Sequence, residues 1–188
     1  MRLGVLGVGA AFCSLCATSC STSPPPSPRT TPYDSPTGPL ATCSASTLAI
    51  RLSGEISTAG LVSLEYEVRN TGAVGCNVSG FPSLQMIDAS DASLPTTVSD
   101  DTTRTALSVA LPAHTRGLGV AGATGHAWFT VSYSDSSCPA AVAEIPVRWR
   151  LAVPGVPSTV EVTARDASGA LPLVCGGMVT VKPFSANP

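Results

Sequence analysis

Seven cysteines, two histidines and a single lysine are the side chains of this sequence with the sharpest chemistry, and their spacing sorts them at once. Cys13, Cys16 and Cys20 crowd the N-terminus, whereas Cys43, Cys76, Cys138 and Cys175 are spread over the rest of the chain. No two of these four form a Cys-x-x-Cys pair of the kind that holds zinc or exchanges disulfides. An even set of widely spaced cysteines in an exported domain reads as two disulfide bonds, because oxidising compartments preserve them. Three pairings are formally possible. The sequential one, Cys43 with Cys76 and Cys138 with Cys175, is expected because each bridge then closes a loop short enough to link neighbouring strands.

The remaining candidates for chemistry do not assemble into a motif. His114 and His126 each lie in or beside a Gly-rich or Pro-containing turn region and read as surface histidines. A copper site of the cupredoxin kind needs two His, a Cys and a Met gathered near the C-terminal end. Cys175-Gly176-Gly177-Met178 supplies two of these, but no histidine comes after Cys175. There is no Gly-x-Ser-x-Gly elbow, and the one lysine, Lys182, has no serine three residues before it. Asp88, Asp91, Asp100 and Asp101 could form a calcium site or an acid/base pair, although such acids are usual in exposed turns. Asn77-Val78-Ser79 fits the N-glycosylation pattern, which has no meaning in a bacterium without that machinery. No enzyme activity, cofactor or metal is therefore expected.

The elements that would position these residues are strands. Val62 to Arg69 alternates apolar and polar residues without a break, the signature of a half-buried strand. The same alternation runs through Leu48, Ile50 and Leu52, through Leu107, Val109 and Leu111, and through Ile145, Val147, Trp149, Leu151 and Val153. Further strands are expected at Leu84–Ile87, Ala127–Tyr133, Thr159–Ala164 and Val174–Val181, and no stretch offers an amphipathic helix. Eight or nine short strands at this spacing suggest two packed antiparallel sheets, an immunoglobulin-like β-sandwich over residues 41–188. Trp149 shares parity with its apolar neighbours and reads as core. Trp128 has the opposite parity to Ala127, Phe129, Val131 and Tyr133, which makes it the candidate for an exposed aromatic on a binding surface.

Residues 1–19 read as a signal peptide, with Arg2 as the positive region and Leu3 to Leu15 as an apolar segment too short to span a bilayer. Ala17-Thr18-Ser19-Cys20 resembles a bacterial lipobox, with Ala17 where such sequences usually carry Leu. Cys20 is then the lipidated N-terminus and the membrane a partner through that lipid. The alternative is ordinary cleavage at the same bond, which releases a secreted protein. Residues 20–40 are otherwise Ser, Thr, Pro and Gly with almost no large apolar side chain, a composition that cannot offset its own conformational entropy and so reads as a disordered tether. With a net charge of −2 and one lysine, the chain offers no basic surface for nucleic acid.

The segment Tyr66-Glu67-Val68-Arg69-Asn70-Thr71-Gly72, then Cys76-Asn77-Val78-Ser79-Gly80-Phe81-Pro82, resembles an actinobacterial family of exported domains known only as a domain of unknown function, DUF4232. The resemblance spans about residues 41–183. It implies an Ig-like exported domain, often a lipoprotein, in which Cys43 pairs with Cys76, and it implies no activity. The loop from His114 to Gly125 is longer and richer in glycine than the family pattern. In physical terms the motif supplies structure: a turn with positive φ expected at Gly72, a cysteine that pins the returning strand, and a bend at Gly80 and Pro82. The expectation is a cell-envelope lipoprotein, extracytoplasmic and membrane-anchored, whose non-catalytic sandwich binds an envelope protein or cell-wall ligand. The rivals are a secreted hydrolase or metal-binding protein, and a passive envelope component.

Overall fold

The alternation at Val62–Arg69 becomes a strand paired on both sides in the larger sheet. The computed structural model of the chain describes residues 39–114, 125–136 and 138–188. The signal peptide, Cys20 and nearly all of the tether lie outside the described residues, as does most of the glycine-rich loop after His114. In chain order the strands are β1 (Leu48–Thr58), β2 (Leu61–Asn70), β3 (Cys76–Ser79), β4 (Ser83–Ile87), β5 (Thr97–Asp100), β6 (Ser108–Leu111), β7 (His126–Ser134), β8 (Ala143–Glu144), β9 (Arg148–Ala152), β10 (Thr159–Thr163), β11 (Val174–Cys175) and β12 (Met178–Val181). A five-stranded sheet in the order β1-β2-β7-β12-β5 packs on a three-stranded sheet, β10-β9-β4. Two short pairs, β3-β6 and β11-β8, complete an all-β sandwich. No helix among the described residues is long and apolar enough to cross a membrane.

The core lies between the two larger sheets. Leu64, Tyr66 and Val68 of β2 and Phe129 and Val131 of β7 face Trp149 and Leu151 of β9, and all are at most 2% exposed. Tyr66 stacks on Phe129 with ring centroids 5.2 Å apart, and Phe129 meets Phe184 edge-on at 5.6 Å. The indole Nε1–H of buried Trp149 donates to the Tyr66 hydroxyl at 2.7 Å, crossing from one sheet to the other. Burial pushes the Tyr66 phenol well above its ordinary pKa, so the hydroxyl stays protonated and available as an acceptor.

Both expected bridges form, Cys43–Cys76 with Cα atoms 4.9 Å apart and Cys138–Cys175 at 5.3 Å. Each ties down a two-stranded pair, β3-β6 in the first case and β11-β8 in the second. Pairs of this size are not stable alone, so the covalent link offsets what the short ladder lacks.

The strands depart from plain alternation at several points. Gly54 pairs with Glu65 while Leu52 pairs with Tyr66, which leaves Ser53 as a bulge in β1. The bulge reverses the facing of the second half of the strand, so Ile56, which continues the parity of Leu48, Ile50 and Leu52, points outward and is 70% exposed. Leu107 lies before β6 and is 60% exposed. The run Ile145–Val153 is not one strand: Pro146, which has no N–H for a ladder, separates β8 from β9, and Ile145 is exposed. Val174–Val181 is likewise divided, because Gly176 and Gly177 both have positive φ, and a Cβ on Gly177 would stand 2.2 Å from the Pro95 carbonyl oxygen.

Two further departures concern topology and the Asn-Thr-Gly motif. The sandwich is not wholly antiparallel, because β5 crosses to the larger sheet and pairs with β12 in parallel. Gly72 does not have the positive φ expected of it, whereas Gly80, where a bend was expected, does. Space at position 72 is tight instead, since a Cβ there would meet Asn70 Oδ1 at 3.0 Å and the Thr47 side chain at 3.1 Å, so those side chains would have to give slightly. Asn70 is buried; it accepts from Gly72 N–H at 2.8 Å and donates Nδ2 to the carbonyls of Val74 (2.7 Å) and Pro112 (3.2 Å). One amide therefore joins the end of β2 to the end of β6.

These contacts can be tested by their effect on stability. Tyr66→Phe leaves the buried Trp149 N–H without its acceptor and should destabilise the domain by about 1–3 kcal/mol, read by chemical denaturation at pH 7. An unchanged denaturation midpoint would show that the inter-sheet hydrogen bond contributes nothing. Replacing Cys43 and Cys76 together by Ala removes a cross-link worth roughly 3–4 kcal/mol and should lower Tm by about 10 °C in a scanning calorimeter.

Candidate functional site

Among the described residues Glu67 and Asn70 are the two buried polar side chains, and Glu67 is the anomaly. It belongs to the outer parity of β2, on the face turned away from the core, yet it is only 3% exposed. Other side chains cover it. Arg51 Nε of β1 donates to Glu67 Oε2 at 2.5 Å, Arg69 Nε donates to Oε1 at 2.8 Å, and His126 Nδ1 of β7 lies against Oε1. A carboxylate so covered is costly unless paired, and here both oxygens are engaged.

The register explains why these residues meet. Arg51 pairs with Glu67 across the β1–β2 ladder, and Glu67 pairs with Trp128 across β2–β7. The next row on the same face holds Arg69 opposite His126. The outer face thus carries two adjacent rows, Arg51–Glu67–Trp128 and Arg69–His126, with Glu67 at the centre. Trp128 is half-buried on this face, its ring 5.7 Å from that of His126, and its backbone exchanges two hydrogen bonds with Ser185, each 2.9 Å. Beside the second row opens a cavity of about 360 Å³ bounded by Arg69, Asn70, His114 and His126.

Electrostatics favour the ionised state of Glu67. Burial is the largest single influence and pushes its pKa upward. Hydrogen bonds from Arg69 and Arg51, together with the charges of His126 and Arg69, outweigh it and hold the carboxyl below its ordinary value. The guanidinium groups use Nε for this contact. Among the described residues their terminal nitrogens have no acceptor, and the side chains of Arg51 and Arg69 are 64% and 44% exposed.

The structure also places the other candidates from sequence. Asp88 accepts from the backbone N–H groups of Ser90 and Ala92 and from the Ser90 hydroxyl, all at 2.8 Å, and Asp101 accepts from Thr103 in the same manner. These contacts, foremost the Ser90 and Thr103 hydroxyls, lower both pKa values, and each aspartate closes its own turn. Asp91 pairs with Arg148, and Asp100 ends β5. No group of three or more His, Cys, Asp or Glu among the described residues could hold a metal ion. Asn77 spends its amide on the Leu40 carbonyl at 2.8 Å. Trp149 is in the core, as its parity requires. Cys20 lies outside the described residues.

Sequence reasoning missed the Glu67 cluster and the cavity that His114 and His126 both line. The first had a signal: Glu67 and Arg69 share a parity in β2, and pairing β2 with β7 brings the polar positions of both strands together. The hairpin register between β1 and β2, displaced by the Ser53 bulge, had none.

Glu67→Gln should lower Tm by a few degrees at pH 7. Because the folded pKa of Glu67 is depressed, its stabilising contribution is present above the ordinary carboxyl value of 4.5 and is lost as pH falls through the lower folded value. The Tm difference between wild type and Glu67→Gln should therefore narrow as melts are repeated from pH 7 to pH 3, and a constant difference would contradict the assignment.

No curated protein and no solved structure matches this chain. Residues 43–185 match the family described as Domain of unknown function (DUF4232), which takes in β1 to β12, both disulfides and the whole Glu67 cluster, and the chain belongs to that family.

Proposed function

We propose that this chain is a cell-envelope protein held to the membrane by a lipid on Cys20, and that its sandwich is a non-catalytic binding module working through the outer face of the larger sheet around Trp128. The observation that carries the reading is the buried Glu67 on a solvent-facing parity. An ion cluster that fixes two arginines and a histidine beside a half-buried tryptophan is more than solubility requires, and aromatic and arginine side chains are the ones most enriched at binding surfaces. Disulfides at both short strand pairs fit an oxidising, extracytoplasmic environment. A hydrolase or metal protein would need the turn carboxylates as working groups, whereas Asp88 and Asp101 are engaged in closing their own turns.

Two experiments test the two halves of the proposal. In the native host, wild type should partition into detergent and Cys20→Ala should not, and an unmodified N-terminus at Cys20 in mass spectrometry would refute the anchor. For the module, the mature chain made soluble by Cys20→Ser should co-sediment with isolated cell envelopes. Trp128→Ala should reduce the bound fraction at least about fivefold while melting as wild type does, and undiminished sedimentation would refute the role of this face.

A further inference from the structure

Two outer faces of the sandwich carry arginine clusters, and they differ in balance. On the smaller sheet Arg148 and Arg150 of β9 are matched by Glu161 and Asp91, two cations against two carboxylates, with no aromatic ring in the cluster. On the larger sheet Arg51 and Arg69 share one carboxylate, Glu67, with Trp128 and His126 alongside. The second cluster has cationic capacity left over and a ring to one side.

We infer that this face binds the carboxylate-bearing sugar rings of an acidic glycan, a ring lying on Trp128 and a carboxylate on the arginines. The inference rests on the binding-module reading above and names its ligand class. Each guanidinium gives Nε to Glu67, which leaves the end-on fork of two terminal nitrogens, a geometry that matches a carboxylate. Glu67 also fixes both side chains in advance, so less rotamer freedom is lost when a ligand arrives. Arg51 and Trp128 stand in one row two strands apart, about 10 Å at the usual strand spacing. A sugar chain laid across the strands can therefore reach both. The cavity beside Arg69 and His126 gives a neighbouring residue of the chain somewhere to sit.

The same geometry argues against an extended peptide. Peptides add to sheets by pairing with free backbone groups at an edge. This site is centred on β2 and β7, where β2 lies between β1 and β7 and the backbone of Trp128 is bonded on its far side to Ser185. Around Glu67 and Trp128 recognition comes from side chains, which suits the apolar face of a sugar ring on an indole and a carboxylate on a guanidinium. Polyphosphate chains want many cations, and this chain has a net charge of −2.

The test is titration of the Cys20→Ser mature chain at pH 7 with a galacturonate trisaccharide, its fully methyl-esterified and hence uncharged form, and a hexaglutamate peptide. Tryptophan fluorescence reports on this face, because Trp149 is sealed in the core and Trp128 is the only other tryptophan. The acidic trisaccharide should bind saturably and at least about tenfold more tightly than its methyl ester, the low end of what a charge-assisted hydrogen bond contributes. Arg51→Gln, at a well-exposed side chain that leaves Glu67 its contacts with Arg69 and His126, should narrow that preference, because one of the two forks is lost while Arg69 keeps its own. Trp128→Ala, which removes the fluorescent reporter and is therefore titrated by isothermal calorimetry alongside wild type, should weaken both, and provides the test even if Arg51→Gln proves unstable in melts. Equal affinity for acid and ester, or no saturable binding of the acid, overturns the inference. Preference for hexaglutamate overturns the ligand class but leaves the binding-module reading standing, whereas that reading fails separately if Trp128→Ala still sediments with envelopes.

Discussion

A buried indole N–H has to be given an acceptor, and in this domain that requirement sets the rest. Trp149 on β9 reaches across the core to the hydroxyl of Tyr66 on β2, so the smaller sheet can sit against the larger one in only one register without orphaning a donor. With Tyr66 committed inward, the pleat turns its neighbour Glu67 outward. There the carboxylate meets Arg51, Arg69 and His126 because β1 and β7 flank β2 at that row. Core and surface are thus coupled through adjacent residues of one strand. The outer cluster is positioned by paired strands of the larger sheet and not by a loop.

At its ends the sandwich relies on other means. The pairs β3-β6 and β11-β8 contribute ladders of four and two residues, and each is held by a disulfide. Asn70 does comparable work without covalent chemistry, since its single amide satisfies backbone groups of three residues on two separate stretches of chain, Gly72 and Val74 on one and Pro112 on the other. The Asn-Thr-Gly motif is therefore a device for closing one end of the sandwich, with Gly72 fitted closely beneath the Asn70 and Thr47 side chains.

Much of this was legible in the sequence, and the failures have a common cause. Uninterrupted alternation located β2 and β7, and cysteine spacing indicated both bridges, because each signal is local or nearly so. Period-two reading broke down wherever one residue altered the ladder: Ser53 as a bulge, Pro146 as a gap and Gly176-Gly177 as a sharp turn. β5 was invisible because Thr97-Val98-Ser99-Asp100 is mostly polar, as an edge strand can be, and its parallel partner lies about eighty residues away. The site suffered similarly. Trp128 stood out by parity alone, but Glu67 looked like any solvated acid on a strand until three strands in register surrounded it with cations.

The Ser53 bulge has another bearing, on how the molecule behaves in a crowded compartment. β1 is the longest strand and lies at the border of its sheet, with a row of backbone groups facing outward and no proline along its length. A flat strand of that kind is a template on which a second chain could lengthen the sheet, the first step towards fibrous aggregates. The extra residue bends and over-twists the strand midway, breaking the border into two shorter stretches. A protein concentrated on a surface, with its copies held side by side, would gain most from such a kink.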